Sequence, residues 1–231
     1  MLVYGRNVAN EIFNYNPKII NKIYLQDGFD DINIINNIEK YNIFVKKLQK
    51  NDMNTLANGV HQGIIIDISN YKYEDLKEIN PNSQFVVMLD HIEDPHNLGA
   101  IIRTCEASGV DYIIIPKDRS ASINATVFKT SAGAVLRSHI VLVSNLSNAI
   151  KYLKNLGFWI YSSAMDGEDY SKIDYDSKTC LIIGNEGKGV SPIVRKASDF
   201  IISIPMKGNI NSLNASVAAG ILIYGVIRNR K

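Results

Sequence analysis

The sequence reads as an α/β protein of two units, the second built on a parallel sheet, and three observations predict this. Runs of β-branched apolar residues alternate with stretches of helical spacing along the chain. A polar stretch from 69 to 83 separates the two series. In the second series, three loops rich in Gly, Asn and Ser each follow an apolar run, where open parallel sheets place ligands. With 231 residues the chain can build two modest domains that each bury a core.

In the first unit, helical spacing over residues 8–15, 32–40 and 50–56 alternates with strand-like runs at 22–25, 43–46 and 63–68. This predicts a small α/β domain over residues 1–70 and a linker over 71–83. The second unit, residues 84–231, opens with Gln84-Phe85-Val86-Val87-Met88-Leu89, suited to a strand buried on both faces. A polar loop, 90–97, leads into a helix over 98–108 that Gly109 closes. Strand 112–115, a charged loop, and a small-residue helix through Thr130 and Ala134 come next. Strand 139–143, helix 146–156 and strand 158–162 continue the βαβ rhythm. A strand at 180–183 runs into Gly184-Asn185-Glu186-Gly187-Lys188-Gly189-Val190. A last strand ends at Ile204-Pro205, and a helix begins near Ser212 and runs to Asn229, with Asn211 in the loop between them.

The formal charge is +2, with Lys and Arg 25 against Asp and Glu 23, so a grip on nucleic acid must be local. Lys117, Arg119, Lys129 and Arg137 against Asp118 form the best local candidate for phosphate contact. Cys105 and Cys180 stand far apart without a CxxC pair, which points to a reducing compartment and away from a disulfide framework or thiolate metal cage. No leader pattern and no membrane-length apolar run is present, so the expectation is a cytoplasmic protein without a membrane partner.

The loops narrow the chemistry by exclusion. Gly184-x-x-Gly187-x-Gly189 is the dinucleotide spacing reversed and comes too late in the chain. Gly187-Lys188 lacks the Ser or Thr of a P-loop, and no G-x-S-x-G elbow serves an esterase. Asp90, His91, Glu93, Asp94 and His96 form a dense cluster, but neighbours in an extended loop diverge, so no metal is expected.

Three ordered stretches carry a family resemblance. Asn97-Leu98-Gly99-Ala100-Ile101-Ile102-Arg103-Thr104 comes first and Ile183-Gly184-Asn185-Glu186-Gly187-Lys188-Gly189 second. Ile204-Pro205-Met206 with Ser212-Leu213-Asn214-Ala215-Ser216 is the third. Together they resemble the motifs of the SpoU (TrmH-type) RNA ribose 2′-O-methyltransferases. Tyr4-Gly5-Arg6-Asn7 and His61-Gln62-Gly63 are similar to the ribosomal-protein-like substrate-binding domain found in part of that family. One departure is Ala215, where a valine is common.

The resemblance implies a methyltransferase domain of SPOUT type, with a carboxyl-terminal trefoil knot that holds S-adenosylmethionine. It implies cofactor contacts at Gly184, Ile204 and Leu213, and a methyl-transfer chamber lined by Glu186, Ser212 and Asn214. Asn97 would hold the helix entry, and Arg103 would act on the target nucleotide. Lys117-Asp118-Arg119-Ser120-Ala121 and Asn124-Ala125-Thr126 look most like the subgroup that methylates a guanosine of 23S ribosomal RNA. The alternatives are a tRNA substrate and a non-catalytic RNA-binding paralogue. A homodimer through the second domain is also expected, since helix 212–229 is apolar around most of its circumference.

Overall fold

The computed structural model describes residues 1–57, 59–175, 177–210 and 212–230; Asn211 of the third motif stretch lies outside them. The chain divides into two units, one of residues 1–72 and 123–137, the other of residues 73–122 and 138–231.

The first unit holds strands β1 (Leu2–Tyr4), β2 (Ile20–Gln26), β3 (Val45–Leu48) and β4 (Ile64–Ile68) in the order β1-β4-β2-β3. Its helices are α1 (Arg6–Tyr15), α2 (Ile32–Lys40), α3 (Lys50–Leu56) and α5 (Ala125–Thr130). Register explains the two buried faces. Val3 pairs with Ile66, Ile66 with Ile23 and Ile23 with Val45, one apolar row that matches the buried Val8, Ile12, Ile34 and Ile38 of α1 and α2. One residue along, Tyr4, Ile65 and Tyr24 form the opposite row, which packs with Met53 and Ala125. Strand β1 was not legible, because three residues are too few to show a period. The two amino-terminal motifs are joined where the Arg6 N–H donates to Gln62 Oε1 at 2.9 Å; within the second motif the Gly63 N–H donates to His61 Nδ1 at 3.0 Å.

The second unit is a six-stranded parallel sheet, as the alternation predicted. Its strands are β5 (Phe85–Asp90), β6 (Tyr112–Pro116), β7 (Ile140–Val143), β8 (Trp159–Asp169), β9 (Thr179–Gly184) and β10 (Phe200–Ser203), in the order β10-β8-β9-β5-β6-β7. Helices α6 (Leu146–Asn155) and α7 (Pro192–Ala197) cover the face bearing Met88, Ile114 and Ile182. Helices α4 (Pro95–Ala107) and α8 (Ala215–Arg228) pack on each other, and α8 also lies on β9. Because β5 and β9 are neighbours while their connections leave in opposite directions, the sheet order reverses between them. That is where an open parallel sheet leaves a crevice for a ligand.

Several boundaries differ from the sequence expectation, for local reasons. Helix α4 starts at Pro95 instead of residue 98, since the Asp94 carboxylate accepts from the His96 N–H and proline suits the first helical position. Helix α8 starts at Ala215 instead of near Ser212, because Asn214 is the capping residue. Strand β8 runs seven residues past 162, with its register to β10 broken by a bulge between Ile201 and Ile202. Within the stretch read as a linker, Leu76–Glu78 form a 3-10 turn and Ile79 is buried in the core of the second unit. The cationic quartet divides between the two units. Arg137 pairs with Glu11, and Lys129 donates to Val60 O at 2.9 Å, both inside the first unit. Lys117 and Arg119 belong to the second.

Two predictions concern stability. Ser162 on β8 is fully buried, and its Oγ is the buried side-chain polar atom without a hydrogen-bond partner among the described residues. A hydroxyl with no partner costs on the order of 1–3 kcal/mol, so Ser162→Ala should raise the urea midpoint; a lower midpoint would contradict this. Burial, with Lys50 and Lys129 nearby, holds the His61 imidazole below its ordinary value of 6.5. The unfolded chain therefore takes up a proton first as pH falls through 6.5, and stability is lost below it. His61→Gln should flatten this pH dependence of unfolding, and an unchanged slope would count against it.

Candidate active site

The three motif loops leave the carboxyl ends of β5, β9 and β10, and the fold brings their polar residues together. Asn97 sits in the first turn of α4, 8% exposed, and its Nδ2 donates to Glu186 Oε1 in a short hydrogen bond. Its Oδ1 accepts from Asn214 Nδ2 at 3.0 Å. One side chain of the first motif thus joins one from the second and one from the third. An amide suits this place, since it donates and accepts at once. Asn214 also caps α8, its Oδ1 taking the Ser216 N–H at 2.9 Å and the Ser216 hydroxyl at 2.6 Å. Asp94 caps α4, and the His96 N–H holds its carboxyl below the usual carboxylate range.

Beside this junction lies a cavity of about 790 Å³, in the size range of small-molecule sites. Gly184, Glu186, Ile204, Ser212 and Leu213, five of the eight residues singled out from the sequence, line it. Its walls are apolar at Ile183, Ile202, Ala218 and Leu222, and Asp166, Lys188 and Arg195 add charge. Asp166 and Arg195 form an ion pair at 2.7 Å, and Arg195 lowers the Asp166 pKa. Sequence reasoning missed this pair; it joins residues 29 apart, across β9, with no local pattern to mark it.

Gly184 is demanded by its surroundings. A β-carbon there would come within 2.2 Å of the Gly189 carbonyl carbon and 2.3 Å of the Val190 nitrogen. The loop folds back so closely that two backbone segments touch, closed by hydrogen bonds of 3.2 and 2.8 Å between Asn185 and Gly189. Apolar walls for a flat heterocycle, backbone at contact distance and charges of both signs fit a nucleoside carrying an amino-acid tail, the chemistry of S-adenosylmethionine.

Arg103 is the residue that the fold does not bring to the junction. Six steps along a helix turn it by about 240° from Asn97. It is exposed on α4, with no hydrogen-bond or ion-pair partner among the described residues. The acidic and histidine cluster is likewise dispersed: Asp90 binds His91, and Asp94 binds His96 at 3.1 Å.

Comparison with known proteins gives this arrangement a family. A TrmH family tRNA/rRNA methyltransferase, by its name, of Staphylococcus haemolyticus is 40% identical over 240 residues, covering 100% of this chain and 96% of its own. The SpoU methyltransferase AviRb of Streptomyces viridochromogenes, solved with the cofactor AdoMet, has the same fold at a TM-score of 0.85 and 21% identity, over 99% of this chain and 89% of that one. The tRNA-modifying TrmH/SpoU enzyme of A. aeolicus is 33% identical, with a TM-score of 0.58, over 67% of this chain and 81% of its own. Residues 2–74 match the family described as RNA 2'-O ribose methyltransferase substrate binding. Residues 84–224, which hold the junction and the cavity, match the SpoU rRNA Methylase family, and the chain belongs to that family.

Proposed function

We propose that this chain is an S-adenosylmethionine-dependent enzyme that methylates a ribose 2′-hydroxyl of RNA, with a guanosine of 23S ribosomal RNA as its target. The observation that carries this reading is the meeting of Asn97, Glu186 and Asn214 beside the cavity. The guanosine assignment draws on the likeness of Lys117-Asp118-Arg119-Ser120-Ala121 to that subgroup. A second reading, tRNA, is favoured by the 33% identity to a tRNA-modifying enzyme. The threading of the segment after β9 into a trefoil knot is part of the proposal, supported by the family and by the tight backbone contact at Gly184.

Bound S-adenosylmethionine supplies a methyl group on a sulfonium sulfur, open to in-line displacement. Gly184, Ile204 and Leu213 would hold its adenosine, through backbone groups along the base edge and apolar side chains as walls. Glu186, Ser212 and Asn214 line the chamber, and Asn97 fixes the Glu186 and Asn214 side chains so that the nucleophilic oxygen meets a preset surface. Arg103, whose guanidinium stays charged in proteins, is a poor base. Its role is to grip a phosphate of the target nucleotide and orient the hydroxyl, whose proton passes to phosphate or solvent.

Two copies would pair through α8. Val217, Tyr224 and Ile227 are 50%, 52% and 37% exposed there, while Ala219, Leu222, Ile223 and Val226 are buried. Pairing would let Arg103, turned away from Asn97 in its own chain, serve the second copy.

Ribose-methylation mapping of RNA from cells with and without the gene tests the function. Loss of one mark in 23S RNA is expected, loss of a tRNA mark would select the second reading, and unchanged maps in both would overturn the enzyme. Arg103→Lys keeps charge without the planar fork, so activity should fall by about 10²-fold while calorimetry shows unchanged cofactor affinity. Full turnover by this variant would remove the bidentate role. Light scattering across a dilution series should show activity falling as the dimer dissociates, and a fully active monomer would refute the pairing.

A further inference from the structure

Asp90 closes the central strand β5 at 1% exposure, and it is the register partner of Gly184 on β9. Its two oxygens do different work. Oδ2 accepts the Ser191 N–H at 2.7 Å, at the far end of the loop that begins with Gly184. Oδ1 is hydrogen-bonded to His91 Nδ1. His91 itself sits at φ 60, a left-handed conformation that costs free energy in a residue with a β-carbon. In that conformation the His91 carbonyl accepts from Asn185 Nδ2 at 3.0 Å. Asn185 in turn orders the loop, its Oδ1 taking the Gly187 N–H at 2.9 Å and the Lys188 N–H at 3.4 Å.

The next residue after Asn185 is Glu186, whose carboxylate meets Asn97. The β5–α4 segment therefore grips the 184–191 loop at three levels: Asp90 holds its end, His91 its beginning, and Asn97 the side chain between them. A carboxyl group is costly to bury, and a partner for the Ser191 N–H alone could be supplied by Ser or Asn. A carboxyl group offers two separately directed oxygens, one for Ser191 and one for His91.

We propose that Asp90, acting through His91 and Asn185, is a positioning residue that sets Glu186 against Asn97 and so shapes the methyl-transfer chamber; this rests on the reading of Glu186 as part of the site. Asp90→Asn is the informative variant. Its amide oxygen can still take the Ser191 N–H, but the carboxyl–imidazole contact with His91 is replaced by a weaker amide–imidazole one.

Amide exchange in the whole protein reads the brace without any activity. In Asp90→Asn the Gly187 and Lys188 amides should exchange at least about tenfold faster, while amides of the β5–β6 ladder keep their protection. Asn185→Ala, which leaves Asp90 intact, should show the same local pattern. In turnover, Asp90→Asn should lose about 10²-fold in kcat, as small misplacements of catalytic groups do. The double variant Asp90→Asn with Glu186→Gln should be no worse than the poorer single variant, because both changes act on one device. Unchanged loop exchange in Asp90→Asn, or losses that multiply in the double variant, would overturn the proposal. Failure of the wild-type protein to methylate RNA would instead strike the function reading and leave the exchange result to judge the brace.

Discussion

At Gly184 the backbone of β9 meets the peptide between Gly189 and Val190 with no space for a β-carbon, and the site depends on that contact. Closing a loop so tightly turns the end of a strand into a wall, puts Glu186 at its tip and leaves the cavity behind it. The cost is steric, and it is met by residue choice: Gly184 has no side chain, and Gly189 adopts φ 66 without strain. Because the polar groups within the turn bond to each other and to the β5–α4 segment, the loop has a defined shape before any ligand arrives.

The junction of Asn97, Glu186 and Asn214 extends the same logic across the three motifs. Each residue also has a role in its own segment. Asn97 lies in the first turn of α4, Glu186 is at a loop tip, and Asn214 caps α8. Helices α4 and α8 pack together, so the relative height of their first turns is set by apolar contact, and the amide network then selects one arrangement. The junction is built on helix starts and a loop at a strand end.

The first unit shows the opposite use of polar residues. Lys129 and Arg137, which charge counting grouped with Lys117 and Arg119, are tied to Val60 and Glu11 within that unit. His61, from a motif of the substrate-binding region, is buried, with its ring between Asn54 and the Gly63 N–H. These groups hold turns and helix contacts in place, and this use of charge is invisible in a composition.

Much of the fold was legible because its signals are local. Apolar runs such as Phe85 to Leu89 mark strands buried on both faces, and Gly109 at φ 73 stops α4 where a left-handed cap was expected. Five of the eight motif residues singled out from the sequence line one cavity. What the sequence could not carry was anything that depends on distance through space. The Asp166–Arg195 pair, the grip of Asp90 on Ser191 and the turning of Arg103 away from Asn97 arise from sheet order and helix phase. By itself, then, the sequence determined which segments become strands and helices and which loops carry polar chemistry, because backbone conformation follows from neighbours along the chain. Only the tertiary structure decided which of those polar groups meet, because the order β10-β8-β9-β5-β6-β7 sets loops far apart in sequence side by side.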